Sequence, residues 1–295
     1  MSYRGRFAPT PSGPLHLGSL LTALASYLQA RFQKGQWLVR IDDLDKPRCV
    51  SGADTVILRQ LEAHALHWDE TPRYQSEHQP RYEATLQHLQ DEGLLYACAC
   101  TRAILVADSR PSPDGPVYAG TCRQLKLDAA NRTLRLRITE TGDEFEDGCQ
   151  GQQSRWLSSQ VGDFVVRRND GQIGYQLACA IDEADQGVSE VVRGADLLGS
   201  TFQQRALLRQ LGLVSPEYRH LPLLLDRGGN KLSKQNHAAP ITPNQASEHL
   251  FQCLKLLRQN PPAELEGARP SELVNWAITH WQSTNIPKIK KMLVE

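Results

Sequence analysis

The chain has 295 residues, enough to bury a large core and to divide into two domains. Its 33 basic residues balance 33 acidic ones, so no global field draws it to nucleic acid, although a local basic groove is compatible with a neutral protein. The N-terminus lacks a basic-then-apolar signal pattern, no stretch approaches 18 apolar residues, and seven cysteines is an odd count. The expectation is therefore a soluble, cytoplasmic protein whose cysteines are free thiols or metal ligands rather than a disulfide framework.

Tyr3 to Ala8 reads as a short strand, and Pro9, Pro11, Gly13 and Pro14 then forbid regular structure. Leu17, Leu20, Leu21, Leu24, Leu28 and Phe32 recur at helical spacing, which predicts a helix from about Leu15 to Phe32 with one face buried. His16 and Gly18 fall at its N-terminus, where unpartnered backbone N–H groups favour a phosphate. A histidine and glycine at a helix start are commonly no more than a helix start; the whole stretch RFAPTPSGPLHLG, Arg6 to Gly18, is far more specific. Gln36 to Ile41 is a second strand, which makes a βαβ unit whose ligands bind beyond the carboxyl ends of the strands, where Asp42, Asp43 and Asp45 lie. Helical runs follow from Gly52 to Trp68 and from Arg81 to Glu92, with His64, His67, His78 and His88 read as solvated.

Cys98 and Cys100 flank one residue, and Cys122 follows in a Pro/Gly-rich stretch. Three thiolates so spaced supply most of a tetrahedral zinc site, or are free buried cysteines; the pattern alone leaves both open. Arg132 to Ile138 alternates as a half-exposed strand with solvated arginines, and Phe164 to Arg168 and Ile173 to Ile181 read as further strands, followed by an acidic turn at Asp182, Glu183 and Asp185. Glu190 to Val192 is strand-like, Ser200 caps a helix ending at Leu211, and His220 to Leu225 is a buried strand. DRGGNKLSKQ then forms a Gly-rich loop whose Lys231 and Lys234 suit a pyrophosphate charge. Beyond it lies a small helical tail with Leu250, Leu254 and Leu257 on one face and Leu273, Trp276, Ala277 and Trp281 on another.

The stretch from Arg6 to Gly18 resembles the first signature of class I aminoacyl-tRNA synthetases in the glutamyl and glutaminyl branch, departing from it as HLGS, with Leu17 and Ser19 at the second and fourth letters. KLSKQ, Lys231 to Gln235, resembles the partner lysine signature, and VVRGADLLGSTFQQ matches the branch's V-x-R-G-x-D-x-x-x-x-T-x-x-Q pattern. The resemblance implies a glutamate pocket made by Arg6, Phe7, Ala8, Pro9 and Thr10 with Asp42, Tyr175 and Arg193, where Asp42 stands one methylene short of the family's glutamate. It also implies ATP held by His16, Gly18 and Lys234, with His16, Lys231 and Lys234 stabilising the transferring charge and Mg2+ accompanying ATP. Within the branch, the short glutamyl-queuosine tRNA(Asp) synthetases carry C-x-C followed by Y-x-x-x-C, which implies one structural Zn2+ on Cys98, Cys100, Tyr118 and Cys122, with Cys149 the rival to Tyr118. The fold so implied is α/β: a Rossmann-type catalytic domain in residues 1–97 and 186–240, a zinc-bearing insertion in 98–185, and a tail in 241–295 that leaves no room for a large anticodon-binding part. The implied partners are ATP, L-glutamate and queuosine-containing tRNA(Asp), with no membrane, for a monomer. A truncated glutamyl-tRNA synthetase and a catalytically silent tRNA-binding paralogue are the alternatives.

Overall fold

The computed structural model describes residues 2–139, 141–232 and 238–294. Strand β1 (Arg4–Phe7), helix α1 (Leu17–Phe32) and strand β2 (Gln36–Ile41) form the expected unit, with β1 and β2 parallel from Arg4 opposite Gln36 to Phe7 opposite Val39. His16 is the N-cap of α1, its Nδ1 accepting the Ser19 N–H at 3.3 Å. From Leu20 to Ala30 the helix is buried on nearly every side, as its density of leucine and alanine dictates. Phe32, expected on the buried stripe, instead lies 51% exposed in the last turn.

Helix α2 (Ala53–Ala63), strand β3 (Arg73–Tyr74), which pairs parallel with β2, and helix α3 (Gln79–Asp91) follow. His64, just past α2, is fully buried rather than solvated: its Nδ1 lies 2.6 Å from the Gln60 carbonyl and its ring stacks on His249. His67 and His88 are exposed as expected, and His78 is half-buried.

The next segment contains β4 (Leu95–Cys98), α4 (Arg102–Asp108), β5 (Thr133–Leu136), β6 (Gly142–Asp147), β7 (Gly151–Trp156) and β8 (Phe164–Arg167). Strands β4, β5 and β8 make an antiparallel sheet, while β6 and β7 form a hairpin that leaves it. Arg135 of β5 is buried, not solvated, with its guanidinium 3.8 Å from the Tyr118 ring centre. The stretch Ile173 to Ile181, read as a strand, is mostly helix α5 (Tyr175–Asp185). Every residue from Leu177 to Glu183 is buried, and Leu177, Ile181 and Ala184 recur at helical spacing, a period that continues through the acidic residues instead of stopping at them. The supposed acidic turn is the C-terminal half of this helix.

Strand β9 (Glu190–Gly194) leads through a tight turn at Ala195–Leu197 into α6 (Leu198–Gln210). Ser200 therefore lies inside the first turn of α6 rather than capping it. The run from His220 is divided at Pro222 into β10 (Glu217–Leu221) and β11 (Leu223–Leu225), because proline cannot donate to a ladder. Strand β10 lies between β9 and β6, giving the order β7–β6–β10–β9. Ser189 donates its N–H to the Arg4 carbonyl at 2.9 Å and so sets β9 beside β1.

The tail consists of α7 (Ala246–Leu256), α8 (Pro270–His280) and, beyond the expected helices, strand β12 (Lys291–Leu293), parallel to β11. Leu250, Leu254, Leu257, Leu273 and Ala277 join the core that contains Leu20, Leu24 and Leu28. Trp281 Nε1 donates to Gln29 Oε1 at 2.8 Å, which ties the tail to the back of α1. No helix among the described residues is long and apolar enough to cross a membrane.

Candidate active site

The carboxyl ends of β1, β2 and β9 open into one cavity of about 790 Å³, within the size range of small-ligand sites. Arg6, Phe7, Ala8, Pro9, Thr10, His16, Gly18, Asp42, Tyr175, Arg193 and Lys231 all line it. Lys234, expected beside them, lies outside the described residues.

Arg6, Arg40 and Asp42 of the cavity wall belong to a buried charge cluster. Arg6 donates through Nε to both oxygens of Glu183 at 2.9 Å and through Nη1 to the Val192 carbonyl at 3.1 Å. Arg40, fully buried, donates through Nε to Asp42 Oδ1 at 2.7 Å and stands 3.4 Å from Glu183 Oε1 and 3.6 Å from Asp182 Oδ2. Tyr82 and Gln75 donate to Asp182 at 2.9 and 2.8 Å. Burial pushes the Glu183 carboxyl up, but Arg6 and Arg40 outweigh it and hold the group below its ordinary value. At Asp42 burial prevails over Arg40 and raises the carboxyl. Cys179 adds a thiol 3.6 Å from Asp42 Oδ2. Arg40 Nη1 has no hydrogen-bond partner among the described residues.

Arg40, Asp182 and Glu183 are missing from the sequence reading of the site. Arg40 had a signal: a charge in the apolar strand QWLVRI, two residues before Asp42 and on its face of the strand, is costly unless paired. Glu183 had none, since its value depends on α5 being a helix.

Arg193 is held differently. Its Nε donates to His220 Nε2 at 3.1 Å, Nη1 to Gln204 Oε1 at 2.9 Å, and Nη2 to Thr201 Oγ1 at 2.8 Å and the Leu197 carbonyl at 3.3 Å. Of five guanidinium N–H groups, one on Nη1 lacks a hydrogen-bond acceptor among the described residues.

The same cavity is lined by the start of α1. Because His16 Nδ1 accepts the Ser19 N–H, its ring proton resides on Nε2. Gly18 fits because a Cβ there would come within 3.2 Å of the His16 ring. Lys231 pairs with Asp196 across the cavity mouth. The segment at Pro240–Ile241 meets the first signature through backbone: Ile241 donates its N–H to the Leu15 carbonyl at 2.9 Å, and His16 bridges Pro240. Buried Gln60 completes the junction, accepting the Leu15 N–H at 2.8 Å and donating to the Ile241 carbonyl at 2.7 Å.

Away from the cavity, the Sγ atoms of Cys98, Cys100 and Cys122 lie within 4.8 Å of one another. The Tyr118 hydroxyl is 3.4 Å from both Cys98 and Cys100, and Cys100 and Cys122 are 3.5 Å apart. A zinc at about 2.3 Å from sulfur and about 2.0 Å from oxygen in tetrahedral geometry sets sulfur–sulfur and sulfur–oxygen edges of about 3.8 and about 3.5 Å, so this donor set fits zinc. Cys149 lies elsewhere, buried beside the Pro287 carbonyl.

A parallel sheet with a histidine-capped helix at its carboxyl edge, and a lysine lining the same cavity as that helix start, is the arrangement of a class I tRNA synthetase catalytic domain. The family model described as tRNA synthetases class I (E and Q), catalytic domain, matches residues 2–260. A glutamyl-Q tRNA(Asp) synthetase from Thiobacillus denitrificans is 47% identical over 284 residues, 96% of this chain and 94% of its own. One from Pseudomonas aeruginosa is 45% identical over 287 residues, 97% of this chain and 96% of its own. The solved glutamate tRNA ligase from Elizabethkingia meningosepticum shares the fold, with a TM-score of 0.80 at 24% identity; the match covers 98% of this chain and 66% of that ligase. The chain belongs to the class I (E and Q) synthetase family and, within it, to the glutamyl-Q tRNA(Asp) synthetases.

Proposed function

We propose that the enzyme activates L-glutamate with ATP to glutamyl-adenylate and then passes the glutamyl group to queuosine at the wobble position of tRNA(Asp). The observation that carries this reading is that one cavity is lined by the arginine forks of Arg6 and Arg193 together with the start of α1 and Lys231. Arg6 and Arg193 supply N–H donors for the carboxylates of glutamate, and Asp42 and Tyr175 face its α-amino end. His16, Gly18 and the first N–H groups of α1 receive the ATP phosphates. Lys231 and Lys234, with Mg2+ on the nucleotide, stabilise the charge that builds as the glutamate carboxylate attacks the α-phosphorus and pyrophosphate leaves. Little covalent chemistry is asked of the protein; positioning and electrostatics carry the step. Cys98, Cys100, Tyr118 and Cys122 hold a structural zinc whose four filled positions leave no open place for substrate. The catalytic halves (1–97 and 186–240), the zinc-bearing insertion (98–185) and the tail (241–295) serve as one monomer.

The test is transfer of labelled glutamate to tRNA(Asp) with and without queuosine, with the product mapped by nuclease and by periodate sensitivity of the 3′ end. Label in the anticodon loop only when queuosine is present supports the proposal. Label on a 3′ ribose, or none on either tRNA, refutes it.

A further inference from the structure

Behind Arg193 lie two fully buried side chains that belong to neither signature, Asp147 and His220. Asp147 ends β6, the hairpin strand that reaches β10 from the segment between the two halves of the catalytic sheet. Its oxygens have separate tasks. Oδ1 accepts the backbone N–H groups of Cys149, Gln150 and His220 at 3.0, 2.8 and 3.0 Å, while Oδ2 accepts from His220 Nδ1 at 2.6 Å. A carboxylate at Nδ1 fixes the imidazole proton there, so Nε2 carries a lone pair. That lone pair receives Arg193 Nε–H at 3.1 Å, with Thr201 Oγ1 also 3.1 Å away. Burial holds His220 below its ordinary pKa against the opposing pull of Asp147, which keeps the ring neutral.

The contrast with the other arginines gives this arrangement a purpose. Arg6 is paired with Glu183 and Arg40 with Asp42, each by direct contact between opposite charges. Arg193 touches an imidazole, an amide oxygen, a hydroxyl and a carbonyl, and makes no ion pair among the described residues. A guanidinium oriented entirely by neutral acceptors keeps its charge for a ligand, and the Asp147 carboxylate acts from one ring away.

We propose that Asp147 and His220 are positioning residues for amino-acid recognition: they present a neutral lone pair that fixes the guanidinium of Arg193 without neutralising it. This rests on Arg193 meeting a carboxylate of glutamate, as read above. The insertion hairpin thereby supplies part of the glutamate site without touching glutamate.

The decisive variant is Asp147→Asn. Its Oδ1 keeps the three backbone donors, but its amide N–H donates to Nδ1, moves the ring proton to Nε2 and sets two donors against each other at Arg193. In ATP–pyrophosphate exchange, the KM for glutamate should rise at least about tenfold, a lost buried hydrogen bond, with the KM for ATP within about twofold. His220→Gln, whose amide oxygen can take the place of Nε2, should stay within about threefold of the wild type, whereas His220→Leu should match Asp147→Asn. An unchanged glutamate KM in Asp147→Asn, a parallel rise in both KM values, or His220→Gln as impaired as His220→Leu would each overturn the relay. If Asp147→Asn does not fold, the two His220 variants decide. Wild-type enzyme that exchanges no pyrophosphate with glutamate overturns the functional reading and the relay with it, whereas an active wild type with insensitive variants overturns the relay alone.

Discussion

Replacing Glu183 by glutamine keeps the shape of the side chain and removes one carboxylate from a cluster in which Arg6 and Arg40 face Asp42, Asp182 and Glu183. The carboxylate is 3% exposed, spans Arg6 Nε with both oxygens at 2.9 Å and stands 3.4 Å from Arg40 Nη2. Removing one partner of a buried pair strands the opposing charge, at a cost of about 3–5 kcal/mol. A domain holds only about 5–15 kcal/mol in all, so Glu183→Gln should lower the urea midpoint by a large fraction with an unchanged slope. The pH dependence has a definite sign. Glu183 sits below its ordinary carboxyl value in the folded chain, so its contribution is complete above that value and is lost as pH falls through the folded one. The gap between wild type and variant should therefore narrow in acid. A loss under about 1 kcal/mol at neutral pH, the worth of an exposed pair, or a gap that widens in acid, would refute the reasoning.

Three further outcomes follow from particular residues. Tyr118→Phe keeps the ring under Arg135, 3.8 Å away, but removes the fourth donor; the wild type should carry one zinc per chain and the variant should bind it at least about tenfold more weakly, no less than the loss of an outer-shell partner costs, with metal-free wild type counting against the ligand set. His64 is pushed down to about 4 by burial, from 6.5, so the unfolded chain takes its proton first and stability should fall as pH drops from about 6.5 to about 4, by up to about 3 kcal/mol. A wild-type stability profile that is flat across that window would contradict it, and His64→Phe should flatten the slope. Lys234→Ala should slow adenylate formation by roughly 10²–10³-fold while glutamate binding stays nearly intact; unchanged pyrophosphate exchange would remove the role.

The parts of this molecule legible in the sequence are those set by local rules. Leucine spacing, the proline run and the strand QWLVRI announce the first βαβ unit, and the loop after it is where Asp42 enters the cavity. What escaped reading depends on tertiary burial. Helix α5 buries two carboxylates, Asp182 and Glu183, that by residue type look like a solvated turn, and their worth depends on Arg6 and Arg40 from distant strands. Arg135 and His64 look solvated by residue type alone; one is sheltered by the Tyr118 ring and the other by His249, from distant segments. Asp147 and His220 meet only because β6 crosses to β10, a pairing that no stretch of local sequence announces.

The junction of Leu15, Gln60 and Ile241 also has a consequence in time. Gln60 and Ile241 are 181 residues apart, and a ribosome adding about 5–20 residues per second needs roughly 10–40 s to pass from one to the other. During that interval the amide of Gln60 lacks its acceptor, and the back of α1 lacks the tail helices that cover it. The first motif to be synthesised is thus among the last to be finished, and the nascent chain carries an uncovered helix start and a bare leucine face until its closing segment emerges.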